Sequence, residues 1–289
     1  MNIINKKYIF PIIVPTEYYQ DRYGNQNSYV EMNPSLYIKE DGTFIILVRT
    51  VNYLKYKNKA FTIYGDSSRS IYSIIRGNIE NFDAYDVKQL EIQYNIPRQW
   101  SLWYGVEDVR FIDDRTILAC IPECNNSSPC IFKGTLSNNV LTSFEKCNPS
   151  VVEKNWMPYG GSKVIYSVSP FIIKSLIEDN REEILLNETD KRELEGWHGS
   201  SNGIDFCGGD KLFLIHKNNE RVVSRWLVLN EETKSVRYSK EFVFFRDSYF
   251  EFTCSLAKYK DRIWVSLGVN DSKAFIIEIE KAEILKLFI

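Results

Sequence analysis

The run Glu107-Asp108-Val109-Arg110 sets two carboxylates beside a guanidinium. Successive side chains of a strand point to opposite faces, so Asp108 and Arg110 are expected on one face and Glu107 on the other. An aspartate facing a pocket beside an arginine can serve as an acid, a base or part of a substrate clamp; on a sheet edge the same residues are an ordinary surface ion pair. Three more basic side chains flank strong apolar runs. Arg49 follows Phe44-Ile45-Ile46-Leu47-Val48, Lys154 precedes Asn155-Trp156, and His216 follows Leu212-Phe213-Leu214-Ile215. Converging on one mouth, these groups would suit an anion, most simply phosphate or a phosphorylated sugar; singly, each could cap its own sheet through backbone carbonyls. Trp103, Tyr104, Trp156, Tyr159, Tyr166 and Trp197 lie beside the same segments. Their rings suit the apolar C–H faces of a sugar, and they suit a core equally well.

Other chemistries find little support. No Gly-rich phosphate loop is present, and Cys207-Gly208-Gly209-Asp210 reads as a hairpin turn. The six cysteines form no Cys-x-x-Cys pair, and His198 and His216 are the only histidines, so neither a metal nor any other cofactor is expected. Free thiols fit a reducing, cytoplasmic setting, where the sequons at Asn125 and Asn187 would carry no sugar. Lys and Arg number 36 against 38 Asp and Glu, which argues against a nucleic-acid partner. No apolar stretch reaches the ~18 residues needed to cross a bilayer. The N-terminal Tyr8-Ile9-Phe10-Pro11-Ile12-Ile13-Val14-Pro15 is broken by two prolines and reads as a first strand, not a signal peptide.

These side chains need a scaffold of strands. The 289 residues are 14% aromatic and carry many short β-branched runs bounded by turn residues. Helical pattern is scarce; Ser175 to Leu194 is either a short helix or a solvated insertion. A polar motif, a strand, a tight Asp/Gly turn and a second apolar strand recur five times. With Asp41, Asp114, Gly161, Asp210 and Asp261 as markers, the gaps are 73, 47, 49 and 51 residues. Five four-stranded units fill roughly 250 residues, so the expectation is an all-β, five-bladed β-propeller forming one domain over residues 1–289. Inner strands of a propeller converge on its axis, so the polar ends of the motifs should share one funnel.

The order of these motifs resembles glycoside hydrolase family 130 and the related β-1,2-mannosyl-processing proteins. Asn33-Pro34-Ser35, Val48-Arg49, Val51-Asn52-Tyr53 and Gly105-Val106-Glu107-Asp108-Val109-Arg110 carry the likeness at the front. Lys154-Asn155-Trp156-Met157-Pro158, Tyr166-Ser167-Val168-Ser169-Pro170, Gly199-Ser200-Ser201 running to His216, Phe250-Glu251-Phe252 and Asn270-Asp271 are similar to a subgroup often joined to glycosyltransferases. The resemblance covers roughly residues 30 to 280. It implies an inverting enzyme acting on β-mannoside-type linkages, with Asp108 as general acid and inorganic phosphate as nucleophile. Arg49, Lys154 and His216 would cradle the phosphate, and Arg110 would clamp the substrate. Asn33, Asn52, Glu107, Trp156, Tyr166, Ser200, Glu251 and Asp271 would line the site. Hydrolases of the family activate water with a second carboxylate, for which Glu251 or Asp205 are the candidates. Val109 stands where the family has Pro, and Ser224-Arg225-Trp226 where the subgroup has a His-Arg-Phe run. Partners would be an oligosaccharide or sugar phosphate and inorganic phosphate; a homo-oligomer is compatible with the sequence. The alternatives are a hydrolase of the same fold and a non-catalytic glycan-binding propeller.

Overall fold

The computed structural model describes residues 2–21, 23–56, 60–63, 67–148, 152–178 and 180–288. Each of the five recurring motifs is a β-hairpin. They pair Val30–Ile38 with Thr43–Val51, Glu107–Phe111 with Thr116–Cys120, Met157–Tyr159 with Lys163–Val168, Ile204–Asp205 with Lys211–Asn218, and Glu251–Tyr259 with Arg262–Val269. The marker residues sit at the tips because the chain must reverse there. Gly42 and Gly161 adopt φ of +83° and +78°, a region glycine enters without penalty.

Among the described residues, further strands extend the hairpins into five sheets of four to seven strands, with two separate two-stranded ribbons beside them. The arrangement is propeller-like. Val30–Ile38, Glu107–Phe111 and Glu251–Tyr259 touch one another at the centre, and Met157–Tyr159 touches Glu107–Phe111. Apolar clusters fill the spaces between neighbouring sheets. Leu47 and Ile74 of the first sheet pack on Val109 and Phe132 of the second. Leu118 of the second meets Trp156 of the third. Phe171 of the third meets Phe213 and Leu227 of the fourth, and Trp226 of the fourth meets Val265 and Ile277 of the fifth. Trp264 and Ile276 of the fifth return to Leu36 and Ile46 of the first.

The N-terminal strand expected from the apolar run is present at Tyr8–Ile12, preceded by a short strand at Asn2–Ile3, and is paired with Lys273–Glu280 from Tyr8↔Glu278 to Ile12↔Ala274. It forms the edge of its sheet, where Pro11 withholds no needed donor. The charged stretch from Ser175 contains the strand Arg181–Ile184 and the helix Glu188–Leu194, whose start is capped by Asn187 Oδ1 accepting from the Asp190 amide at 2.9 Å.

Candidate active site

The starting ends of the inner strands open on a cavity of about 310 Å³. Its walls include Asn33, Arg49, Glu107, Asp108, Lys154, His216 and Asp271, drawn from four of the five sheets and their connections. Backbone irregularities aim several of these side chains. Met32 faces Arg49 and Ser35 faces Leu47, so Asn33 and Pro34 together oppose a single residue. Glu107 faces Cys120 and Arg110 faces Leu118, so Asp108 and Val109 do the same. Phe252 faces Gly268 and Ser255 faces Ser266, placing a third such irregularity on the strand Glu251–Tyr259. Two residues against one is a β-bulge, which turns a side chain out of the regular alternation. Asn33 and Asp108 take φ of +41° and +50°, a region that Asn and Asp tolerate better than most residues.

The bulge corrects the expectation for Glu107-Asp108-Val109-Arg110. Glu107 and Asp108 both face the cavity, while Arg110 turns away, because the extra residue breaks the period of two. Arg49 grips both carboxylates. It donates through Nη2 to Glu107 Oε1 and through Nη1 to Asp108 Oδ1 at 3.3 Å, and its Nε donates to Ser70 Oγ at 2.8 Å. Asn33 Nδ2 donates to the same Asp108 oxygen at 3.1 Å. Arg49 is 3% exposed. Burial opposes its charge, yet Glu107 and Asp108 hold its pKa well above the ordinary value. Burial raises the pKa of Glu107, against the pull of Arg49. The Asp108 side chain stays 25% exposed, open to a ligand in the cavity.

His216 is not the cation that its position suggests. Burial pushes its pKa down to about 3, helped by His198, Arg110 and Lys154, so the imidazole is neutral at neutral pH. Its ring packs edge-on to Phe252 at 5.1 Å, and its buried Nδ1 has no hydrogen-bond partner among the described residues. Lys154 is exposed and makes no hydrogen bond or ion pair among the described residues. The cavity therefore sets Arg49 and Lys154 against three carboxyl side chains, Glu107, Asp108 and Asp271.

Seven expected contacts lie elsewhere. Arg110 is 1% exposed; it donates Nε to the carbonyl of Ser200 at 2.5 Å and Nη1 to the carbonyl of Asp108 at 3.1 Å. It thus ties the strand Glu107–Phe111 to the connection between His198–Gly199 and Ile204–Asp205 instead of clamping substrate, and Ser200 serves it through the backbone. Asn52 bridges to the backbone of Ser67 and Arg69. Trp156 is buried beneath Tyr166, with Lys174 over its ring at 4.7 Å, and Tyr166 donates its hydroxyl to Glu153. Glu251 is 1% exposed and accepts from the amides of Phe244 and Phe245, both at 2.7 Å. Asp205 is largely exposed and paired with Lys211 away from this cavity. Neither candidate second carboxylate is therefore available here. Alternation explains the swap at Glu251: with Glu251 turned inward, its neighbours Phe250 and Phe252 face the cavity. Tyr53, Trp103 and Asn218 also line it; Asn218 could have been found two residues beyond His216 on the same strand face.

No family model matches the sequence, and no curated protein is similar to it. Solved structures are similar in fold. The β-1,2-mannobiose phosphorylase of Listeria innocua, in complex with β-1,2-mannobiose, aligns at TM-score 0.59 and 14% identity over 90% of this chain and 92% of that one. A structure from the GH130 family of mannoside phosphorylases, a family that contains glycoside hydrolases targeting β-1,2 mannosidic linkages in Candida mannan, aligns at TM-score 0.59 and 13% identity, over 93% and 90% of the two chains. A GDP-Man-dependent mannosyltransferase of Leishmania mexicana aligns at TM-score 0.54 and 14% identity, over 87% and 86%. The chain thus shares its propeller-like fold, nearly end to end, with GH130-type structures.

Proposed function

We propose that this chain is a single five-bladed propeller domain over residues 1–289, and that it is a carbohydrate-active enzyme for β-mannoside-type linkages, working with inversion through phosphate or a sugar 1-phosphate. The closed succession of apolar clusters between five sheets supports the blade count. The observation that carries the functional reading is Asp108, fixed by Asn33 and Arg49 at a cavity that also holds Lys154. In this reading a phosphate oxygen attacks the anomeric carbon while the glycosidic C–O bond breaks. The departing oxygen takes the proton supplied by Asp108, through a sugar hydroxyl, and Asp108 regains its proton from solvent. Lys154, and Arg49 from behind the two carboxylates, balance the charge of the bound anion. Neutral His216 offers a ring nitrogen without adding charge. Phe250, Phe252 and Trp103 supply apolar faces for the sugar.

A second reading, hydrolysis, is favoured by Asp271, a further carboxyl group on the same cavity that could activate water in place of phosphate. Incubation of the protein with β-1,2-linked mannobiose, with and without inorganic phosphate, separates the two. Phosphorolysis requires phosphate and yields a sugar 1-phosphate; hydrolysis yields free mannose in both arms. No turnover in either arm, nor in the reverse direction from mannose 1-phosphate, would leave the glycan-binding alternative. We also propose a cytoplasmic location, supported by six free cysteines. Among the described residues no helix is long and apolar enough to cross a membrane.

A further inference from the structure

A second cavity, of about 430 Å³, lies across a thin wall from the first. The wall is the short strand Trp103–Tyr104, which pairs with Ser68 and Arg69. Trp103 lines the candidate active site and Tyr104 lines the second cavity, as neighbours on a strand must. Ser70, which accepts from Arg49, also lines the second cavity.

Two arginines dominate this space. The Arg98 guanidinium lies 4.5 Å from the Tyr94 ring centre and 5.8 Å from that of Tyr104. Its Nε donates at 3.0 Å to Glu123, a fully buried carboxylate that also accepts from the Gly105 amide at 2.9 Å. Stacking on one side and a buried anchor on the other fix the plane of the guanidinium before any ligand arrives. Its Nη groups make no hydrogen bond among the described residues. Arg69 lines the same cavity; its exposed side chain makes no hydrogen bond or ion pair among the described residues. Gln89 adds an amide. Among the described residues no carboxylate lines this cavity, in contrast to the first.

A planar guanidinium held in advance, with a second one free nearby and no lining acid, matches an oxyanion that accepts paired N–H donors. We propose that this second cavity is a phosphate-binding site, taking the group free or carried on a sugar. The proposal stands apart from the function assigned to the first cavity. Calorimetric titration of the wild type, R69Q and K154A with inorganic phosphate, hexose 1-phosphate and the neutral hexose tests it. Saturable binding of a phosphate-bearing probe is expected in the wild type and in K154A, with no binding of the neutral hexose here. R69Q should weaken it by about tenfold or more, as loss of a charge-assisted partner does. Arg69 is exposed, so R69Q should melt like the wild type. Tighter binding of the sugar phosphate identifies that as the source; equal affinity identifies free phosphate. Unchanged affinity in R69Q, complete loss in K154A, or no saturation by about 10 mM, a free energy of under 3 kcal/mol, would each overturn the proposal.

Discussion

Replacing Asp108 by Asn isolates its chemistry from its structural role. Asn has nearly the same shape and tolerates the φ of +50° that the bulge imposes. Its side-chain oxygen can still accept from Asn33 Nδ2, now at 3.1 Å, and Arg49 keeps its pair with Glu107. Loss of the neighbouring negative charge also eases the repulsion that helps raise the pKa of Glu107. The fold should therefore persist, with a melting temperature within a few degrees of the wild type. Proton transfer should not. A positioned acid contributes about 10²- to 10⁴-fold, or roughly 2.7 to 5.4 kcal/mol of barrier. Initial rates on β-1,2-linked mannobiose, with phosphate present, should fall by that factor in kcat while KM moves little. Asp108→Ala should show the same rate loss and add about 1–2 kcal/mol of destabilisation, because alanine is strained in the left-handed region. If D108N turned over within tenfold of the wild type while folded, Asp108 would not be the proton donor and the proposed mechanism would fail.

Three more variants probe the surroundings. Unfolded His216 takes up a proton near its ordinary pKa of 6.5, folded His216 only near 3, so stability is complete above pH 6.5 and declines as pH falls toward 3, by about 1.4 kcal/mol per pH unit from this group. Urea unfolding at pH 7, 6 and 5 should show a shallower decline for His216→Gln than for the wild type; equal slopes would refute the buried neutral state. Glu251→Gln should cost about 1–3 kcal/mol in chemical denaturation by weakening the cap on Phe244 and Phe245, with kcat nearly unchanged; a large kcat loss in a folded variant would return Glu251 to the chemistry. A methyl group on Gly268 would stand 2.1 Å from Asn33 Oδ1 and 2.7 Å from its amide. Gly268→Ala should therefore cost about 1–3 kcal/mol and lower kcat by moving Asn33 off Asp108, whereas wild-type kinetics would show that the Asn33 contact is dispensable.

The hairpins were legible because turn chemistry is local. Asp41-Gly42, Gly160-Gly161 and Lys260-Asp261 mark reversals wherever the flanking runs are apolar. The strand ends that meet at the cavity were legible too, since Arg49, Asp108, Lys154 and His216 each sit where an apolar run begins or stops. What alternation could not reveal was the extra residue beside Asp108, which returned Glu107 to the cavity and took Arg110 out of it. Nor could residue type separate a cavity-facing ring from a core ring. Trp156 fills the space between the second and third sheets, while Trp103, equally aromatic, faces the cavity. The charge of His216 depended on its enclosure by Phe252, His198 and Arg110, partners scattered over about 140 residues of chain.

The union of Tyr8–Ile12 with Lys273–Glu280 has a kinetic consequence. The two segments are made far apart in time, so Ile276 and Ile277 of the waiting partner have an open flank until the early segment folds back. This pairing is thus expected to form late and over long range, and a sequestered early segment would leave a sticky border seeking another molecule. Fusions or tags that pin residues before Tyr8 should accordingly favour clumping over soluble yield.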